Sequence, residues 1–188
     1  MRCFIAINIP ENMKKAMVSL QQKLSAASGI RPSDVKWVNT NAMHMTLKFL
    51  GEVEDTKVAD VCNIVKEAVS MHKSFELDIE SVGYYGGNVA NVLWVGIGEG
   101  IGDLKSLQKD IEESLALEGW PEENREFSGH LTLCRIKNSK AGAKLAKLSE
   151  EYKSFKLGDI SVDLVTVYQS QLMPKGPVYT VLGNYKLQ

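Results

Sequence analysis

The sequence predicts a mixed helix-and-strand fold built in two similar halves. Three observations carry that reading. Apolar runs at strand spacing alternate with amphipathic runs at helical spacing along the whole chain. The order strand, helix, strand, helix, strand occurs twice. The third element of each half contains a His-x-Thr triplet, at His44-Met45-Thr46 and again at His130-Leu131-Thr132. The 188 residues suffice for one large domain or two small lobes, burying about 70% of the surface that the unfolded chain exposes.

Each element has its own justification. Residues 2–8 (RCFIAIN) are apolar and β-prone and stop before Pro10, which makes them a first strand. Met13, Met17, Leu20 and Leu24 then recur every three or four residues, with Glu11, Lys14, Lys15, Gln21 and Lys23 on the other face, and Ser28-Gly29 ends the helix. Residues 43–50 read as a strand that Gly51 terminates, and Val58, Val61, Val65 and Val69 mark a second amphipathic helix. Alternating Phe75, Leu77 and Ile79 place a strand over 75–82, with a glycine-rich loop after it at Gly83, Gly86 and Gly87. The second half repeats the order: a strand over 92–97, a helix marked by Ile101, Leu104, Leu107, Ile111 and Leu115, a strand over 129–136 and a short helix over 141–151. Strands over 155–172 and 177–185 finish the chain, the last entered through the turn Pro174-Lys175-Gly176-Pro177.

Composition narrows the function. With 22 Lys and Arg against 23 Asp and Glu, the formal charge of −1 argues against a protein that coats nucleic acid by bulk electrostatics, but leaves room for a small anionic substrate held locally. Cys3, Cys62 and Cys134 are odd in number, far apart and without a Cys-x-x-Cys pair, so neither a disulfide framework nor a zinc knuckle is expected; reduced thiols point to the cytoplasm. The N-terminal apolar run meets Pro10 and Glu11 too soon for a signal peptide or membrane span.

The duplicated triplet carries the chemistry. Two of the three histidines stand 86 residues apart at equivalent places, each two residues before a threonine. On a strand, residues i and i+2 share a face, so His44 lies with Thr46 and His130 with Thr132, while Met45, Leu47, Phe49, Leu131 and Leu133 are expected in the cores. If a pseudo-twofold axis relates the halves, two imidazoles and two hydroxyls line one cleft, with the nearest imidazole nitrogens about 5–7 Å apart. Histidine titrates near 6.5, so one ring can accept a proton while the other donates one. Phosphodiester hydrolysis needs that pair, with hydroxyl donors on the nonbridging oxygens. The metal alternative is poor: zinc takes three or four ligands, and strand parity adds only Cys134.

With these residues in view, the sequence closely resembles the RNA 2′,3′-cyclic phosphodiesterases, also called 2′-5′ RNA ligases, of the 2H phosphoesterase superfamily. The resemblance rests on MRCFIAIN, HMTLKFLGEV, VLWVG, HLTLCRI and PVYTVL, in order along nearly the whole chain. It implies an α+β fold of two interleaved, pseudo-symmetric lobes over residues 1–188, with an antiparallel sheet in each lobe lining a central cleft and helices outside. It implies that His44 donates a proton, His130 accepts one, and Thr46 and Thr132 contact the phosphate. The implied reaction opens an RNA 2′,3′-cyclic phosphate to a 2′-phosphomonoester with neither metal nor cofactor. Weak 2′-5′ joining of tRNA halves is the alternative activity, and a non-catalytic module that binds RNA phosphate ends is another. The chain is expected to work as a monomer. The family associates an arginine after the second motif, here Arg135, with the terminal nucleotide; strict alternation puts Arg135 on the face opposite His130 unless the strand bulges near Cys134. Ser128-Gly129 replaces the commoner proline pair and is expected to loosen the strand entrance.

The remaining candidates read as structural. The glycines from Gly96 to Gly102 fail G-x-G-x-x-G in every register and form a turn. His72, beside Lys73, is expected to be a solvated helix cap. Phe4, Tyr168 and Lys48 could flank a base or phosphate, though a core or surface place suits each better.

Overall fold

The computed structural model describes residues 1–174 and 176–188. Lys175, and with it the middle of the expected turn at 174–177, lies outside the described residues. In chain order the main elements are β1 (Arg2–Asn8), α1 (Glu11–Ser28), β2 (Val35–Trp37), β3 (His44–Glu52), α2 (Val58–Ser70), β4 (Phe75–Tyr85), β5 (Val92–Ile97), α3 (Ile101–Leu117), β6 (Leu131–Ile136), α4 (Ser139–Ser149), β7 (Lys156–Val162), β8 (Leu164–Met173) and β9 (Gly176–Lys186).

The strands form two antiparallel sheets, β3-β1-β8-β9 and β2-β6-β5-β4-β7. Setting β3 against β6, β1 against β5, β8 against β4 and β9 against β7 matches the order of the four-stranded sheet to four strands of the other, with β2 added at an edge. The halves of the chain do not make separate sheets. β4 leaves the first half to pair with β5, and β8 leaves the second half to pair with β1. The helices cross over too: α1 and α4 pack on the five-stranded sheet, α2 and α3 on the four-stranded one. Each helix buries its periodic stripe, as Met13, Met17, Leu20 and Leu24 do in α1, and these stripes join Ile5, Ile7, Met45, Leu93 and Leu131 in one buried cluster.

The structure departs from two expectations and adds one strand. Residues 155–172 are two strands in different sheets, because the chain breaks at Asp163. Strand β2 was not anticipated; three residues show no periodicity. Gly83 sits inside β4, not in a loop, and the indole of Trp94 lies against it: a Cβ there would come within 2.3 Å of the ring. Gly129, just before His130, is buried, and a Cβ there would meet the Cδ2 methyl of Leu104 at 2.6 Å.

Candidate active site

The two His-x-Thr segments sit in strand pairs with the same register and the same defect. In the four-stranded sheet Ala6 faces Thr46, Ile5 faces Lys48 and Leu47 is left over; in the five-stranded sheet Trp94 faces Thr132, Leu93 faces Cys134 and Leu133 is left over. Each leftover leucine is a β-bulge that reverses side-chain parity beyond it. Lys48 and Cys134 therefore turn inward, at 3% and 0% exposure, and Phe49 and Arg135 turn outward. The expectation that Phe49 is a core residue is thereby overturned; it is 63% exposed. Arg135 lies on the face of Thr132, and the bulge that puts it there is one residue before Cys134. Cys134 leaves that face altogether, and burial pushes its thiol up to about 12.

Both histidines are held in the same way. His44 Nδ1 lies 3.1 Å from the carbonyl oxygen of Ala42, and His130 Nδ1 lies 2.8 Å from that of Ser128. A carbonyl only accepts, so in each ring Nδ1–H donates to the residue two positions back and Nε2 is left to exchange a proton. His130 stands immediately before β6, and this bond orients it where the strand ladder does not. The two rings differ in their surroundings. His44 packs against Phe4 at 4.6 Å between ring centroids and against Tyr179 at 5.2 Å, and burial lowers its pKa below the ordinary histidine value. His130 lies 5.3 Å edge-on from Tyr85, whose hydroxyl is 3.3 Å from Nδ1 and 3.2 Å from Ser128 Oγ, and 6.2 Å from Trp94.

Each site has a tyrosine at the matching register. The row Phe49–Phe4–Tyr168 in one sheet corresponds to Arg135–Val92–Tyr85 in the other. Tyr168 stacks on Phe4 at 5.2 Å and donates its hydroxyl to Asn8 Oδ1. A cavity of about 650 Å³ opens beside His44, lined by Asn8, Asn39, Asn41, Tyr168 and Tyr179 among others. Tyr85, Trp94, Tyr179 and Asn8 escaped the sequence reading, since only strand pairing reveals which residues lie beside a histidine. Phe4 and Tyr168 are in the site's surroundings, whereas Lys48 is not. It forms a buried ion pair with Glu112 at 2.5 Å and donates to the Pro121 carbonyl at 2.8 Å. His72 is no solvated cap; its Nε2 bonds Asp110 at 2.8 Å, joining the end of α2 to α3. Among the described residues no three His, Cys, Asp or Glu side chains group as a metal-ligand set, and no helix is long and apolar enough to cross a membrane.

Comparison with known proteins agrees with this duplication. The family model described as LigT-like phosphoesterase matches the chain twice, over residues 7–94 and 95–179, once for each His-x-Thr segment. The RNA 2′,3′-cyclic phosphodiesterase of Methanocaldococcus jannaschii is 31% identical over 98% of this chain and 100% of its own length. That of Thermotoga maritima is 32% identical over 97% of this chain and 93% of its own. In fold, the crystal structure of E. coli LigT complexed with 3′-AMP superposes with a TM-score of 0.80, covering 99% of this chain and 97% of that one at 23% identity.

Proposed function

The chain belongs to the LigT-like phosphoesterase family, and on that premise we propose that it hydrolyses RNA 2′,3′-cyclic phosphate ends to 2′-phosphomonoesters, with His44 and His130 as the acid and base. One observation carries the reading. Two imidazoles, on strands that share a bulge one residue after the threonine, each lock Nδ1–H onto the carbonyl two residues back and keep Nε2 for proton exchange beside a threonine hydroxyl's strand position. His130 Nε2 takes a proton from water as the water oxygen bonds to phosphorus. His44 Nε2–H gives its proton to the departing 3′ oxygen as the P–O3′ bond breaks. Thr46 and Thr132 donate to the nonbridging oxygens while their charge redistributes, and Arg135 binds the terminal nucleotide. The assignment of donor to His44 needs its ring charged, and burial works against that in the free protein. A bound phosphodiester anion supplies the opposing term, since a negative charge at hydrogen-bond distance favours the imidazolium.

No step in this scheme uses a metal or organic cofactor. Free Cys3, Cys62 and Cys134 support a reducing compartment, the cytoplasm, as the place of work, and the protein acts as a monomer on RNA ends, tRNA halves among them. Joining two RNA ends through a 2′-5′ bond is the same displacement in the same site, with a 5′-hydroxyl in place of water as the group that bonds to phosphorus while the P–O3′ bond breaks. Incubation with a dinucleotide ending in a 2′,3′-cyclic phosphate, in chelator, tests the proposal. The expected product is the 2′-phosphomonoester. A 3′-phosphate, activity that needs added zinc, or tight binding without turnover would overturn it, and joining faster than hydrolysis would make ligation the main activity.

A further inference from the structure

Strand β2 brings a second cation to the His130 face. Lys36 on β2 is the direct cross-strand partner of Arg135 on β6, and both are exposed. Directly opposed residues of an antiparallel pair project to the same side of the sheet. The row continues from Arg135 to Val92 and then to Tyr85, which touches His130, so Lys36, Arg135 and the catalytic imidazole share one face. Parity alone would not put Arg135 there; the bulge at Leu133 does.

Two like charges placed opposite each other destabilise a sheet unless something compensates them. Among the described residues no acidic side chain does so. Among the described residues neither Lys36 nor Arg135 has a carboxylate within 4.0 Å, and Asp34, the acid nearest to Lys36 along the chain, is bound by Arg31 at 3.1 and 3.2 Å. The protein is close to neutral overall, so this uncompensated pair is a local feature. It suits an anion held by a guanidinium fork on one side and an ammonium on the other.

A cyclic phosphate closes the 3′ end of an RNA, so the rest of the chain leaves the site through the phosphate on the 5′ side of the terminal nucleotide. Resting on the reaction assigned above, we propose that Lys36 and Arg135 together bind that internal phosphate, and that the enzyme thereby selects polynucleotide ends over cyclic mononucleotides. Lys36 lies one strand spacing, about 5 Å, beyond Arg135 along the row. The contact reads charge and position, not base identity, so the selection is independent of sequence.

The test compares kcat/KM for a trinucleotide ending in a 2′,3′-cyclic phosphate with that for the cyclic mononucleotide, in wild type, Lys36→Ala and Lys36→Arg, at two salt concentrations. The ratio of trinucleotide to mononucleotide should fall about 3- to 10-fold in Lys36→Ala, through KM and not kcat, and stay near wild type in Lys36→Arg. The slope of log(kcat/KM) against log salt for the trinucleotide should become shallower by somewhat less than one. An unchanged ratio, or an equal loss on both substrates, would overturn the proposal. Affinity for a trinucleotide ending in a 2′-phosphate, compared with the nucleoside 2′-monophosphate, is measured on the same variants without turnover. A wild type that binds the trinucleotide better and loses this in Lys36→Ala, yet hydrolyses neither cyclic phosphate, would defeat the reaction and leave the phosphate site standing.

Discussion

At the scale of single residues, the two histidines share a tautomer and differ in environment, and the difference sets their expected behaviour. Burial beside Phe4 and Tyr179 depresses the pKa of His44. His44, the proposed donor, must be protonated in the free enzyme for kcat/KM to be high, and its protonation is lost as pH rises through its lowered pKa. The optimum of kcat/KM should therefore lie on the acid side of neutral, with kcat shifted upward where bound phosphate restores the proton; pH–rate profiles check this, and a kcat/KM optimum above pH 8 would refute it. His44→Ala and His130→Ala should each cost about 10²- to 10⁴-fold on a cyclic phosphate with folding retained. The two separate on an aryl phosphodiester, whose leaving group needs no proton: the loss in His44→Ala shrinks there, and the loss in His130→Ala does not. At this scale the sequence was most informative, since repetition of His-x-Thr singles out four residues. It was silent on Tyr85 and Trp94, which are far from His130 in the chain and reach it by strand pairing.

At the scale of elements, the paired bulges decide what the strands present. Simple alternation identifies Met45, Leu131 and Leu133 as core residues, all of them fully buried. It fails from Lys48 and Cys134 onward, because a bulge inserts one residue that no pattern of apolar and polar positions announces. A charged Lys48 in the core is the clearest case. It ties β3, the strand of His44, to Glu112 on α3 and to Pro121 in the connection that leads toward His130, while Glu112 also accepts from Gln108 at 3.1 Å and from the backbone of Glu123 at 2.7 Å. Removing one partner leaves the other charge buried. Lys48→Ala should lower unfolding stability by about 3–5 kcal/mol. Replacing Lys48 and Glu112 together by Met and Leu should recover much of that, a difference measured by denaturant titration. Equal losses in the single and double variants would mean that the pair's charge is not what matters. Strand β2 was illegible for another reason: three residues carry too little pattern to register.

At the scale of the whole molecule, the duplication was legible and its assembly was not. Element order and the two triplets reveal a repeat, but nothing local says that β4 and β8 pair with the opposite half, or that α1 and α3 cover the sheet their own first strand does not join. Strand exchange of this kind is fixed by long-range pairing, which periodicity cannot read. Its consequence is that each histidine stands on a sheet built from both halves, so neither half-site forms without the other half of the chain. The central claim, that both imidazoles serve one phosphate, is tested most directly by nitrogen NMR of the three histidine rings during titration with a nucleoside 2′-monophosphate. The Nε2 resonances of His44 and His130 should move together along one saturating isotherm while those of His72, bonded to Asp110, stay in place. Movement of one ring alone, or of the two with different affinities, would contradict it.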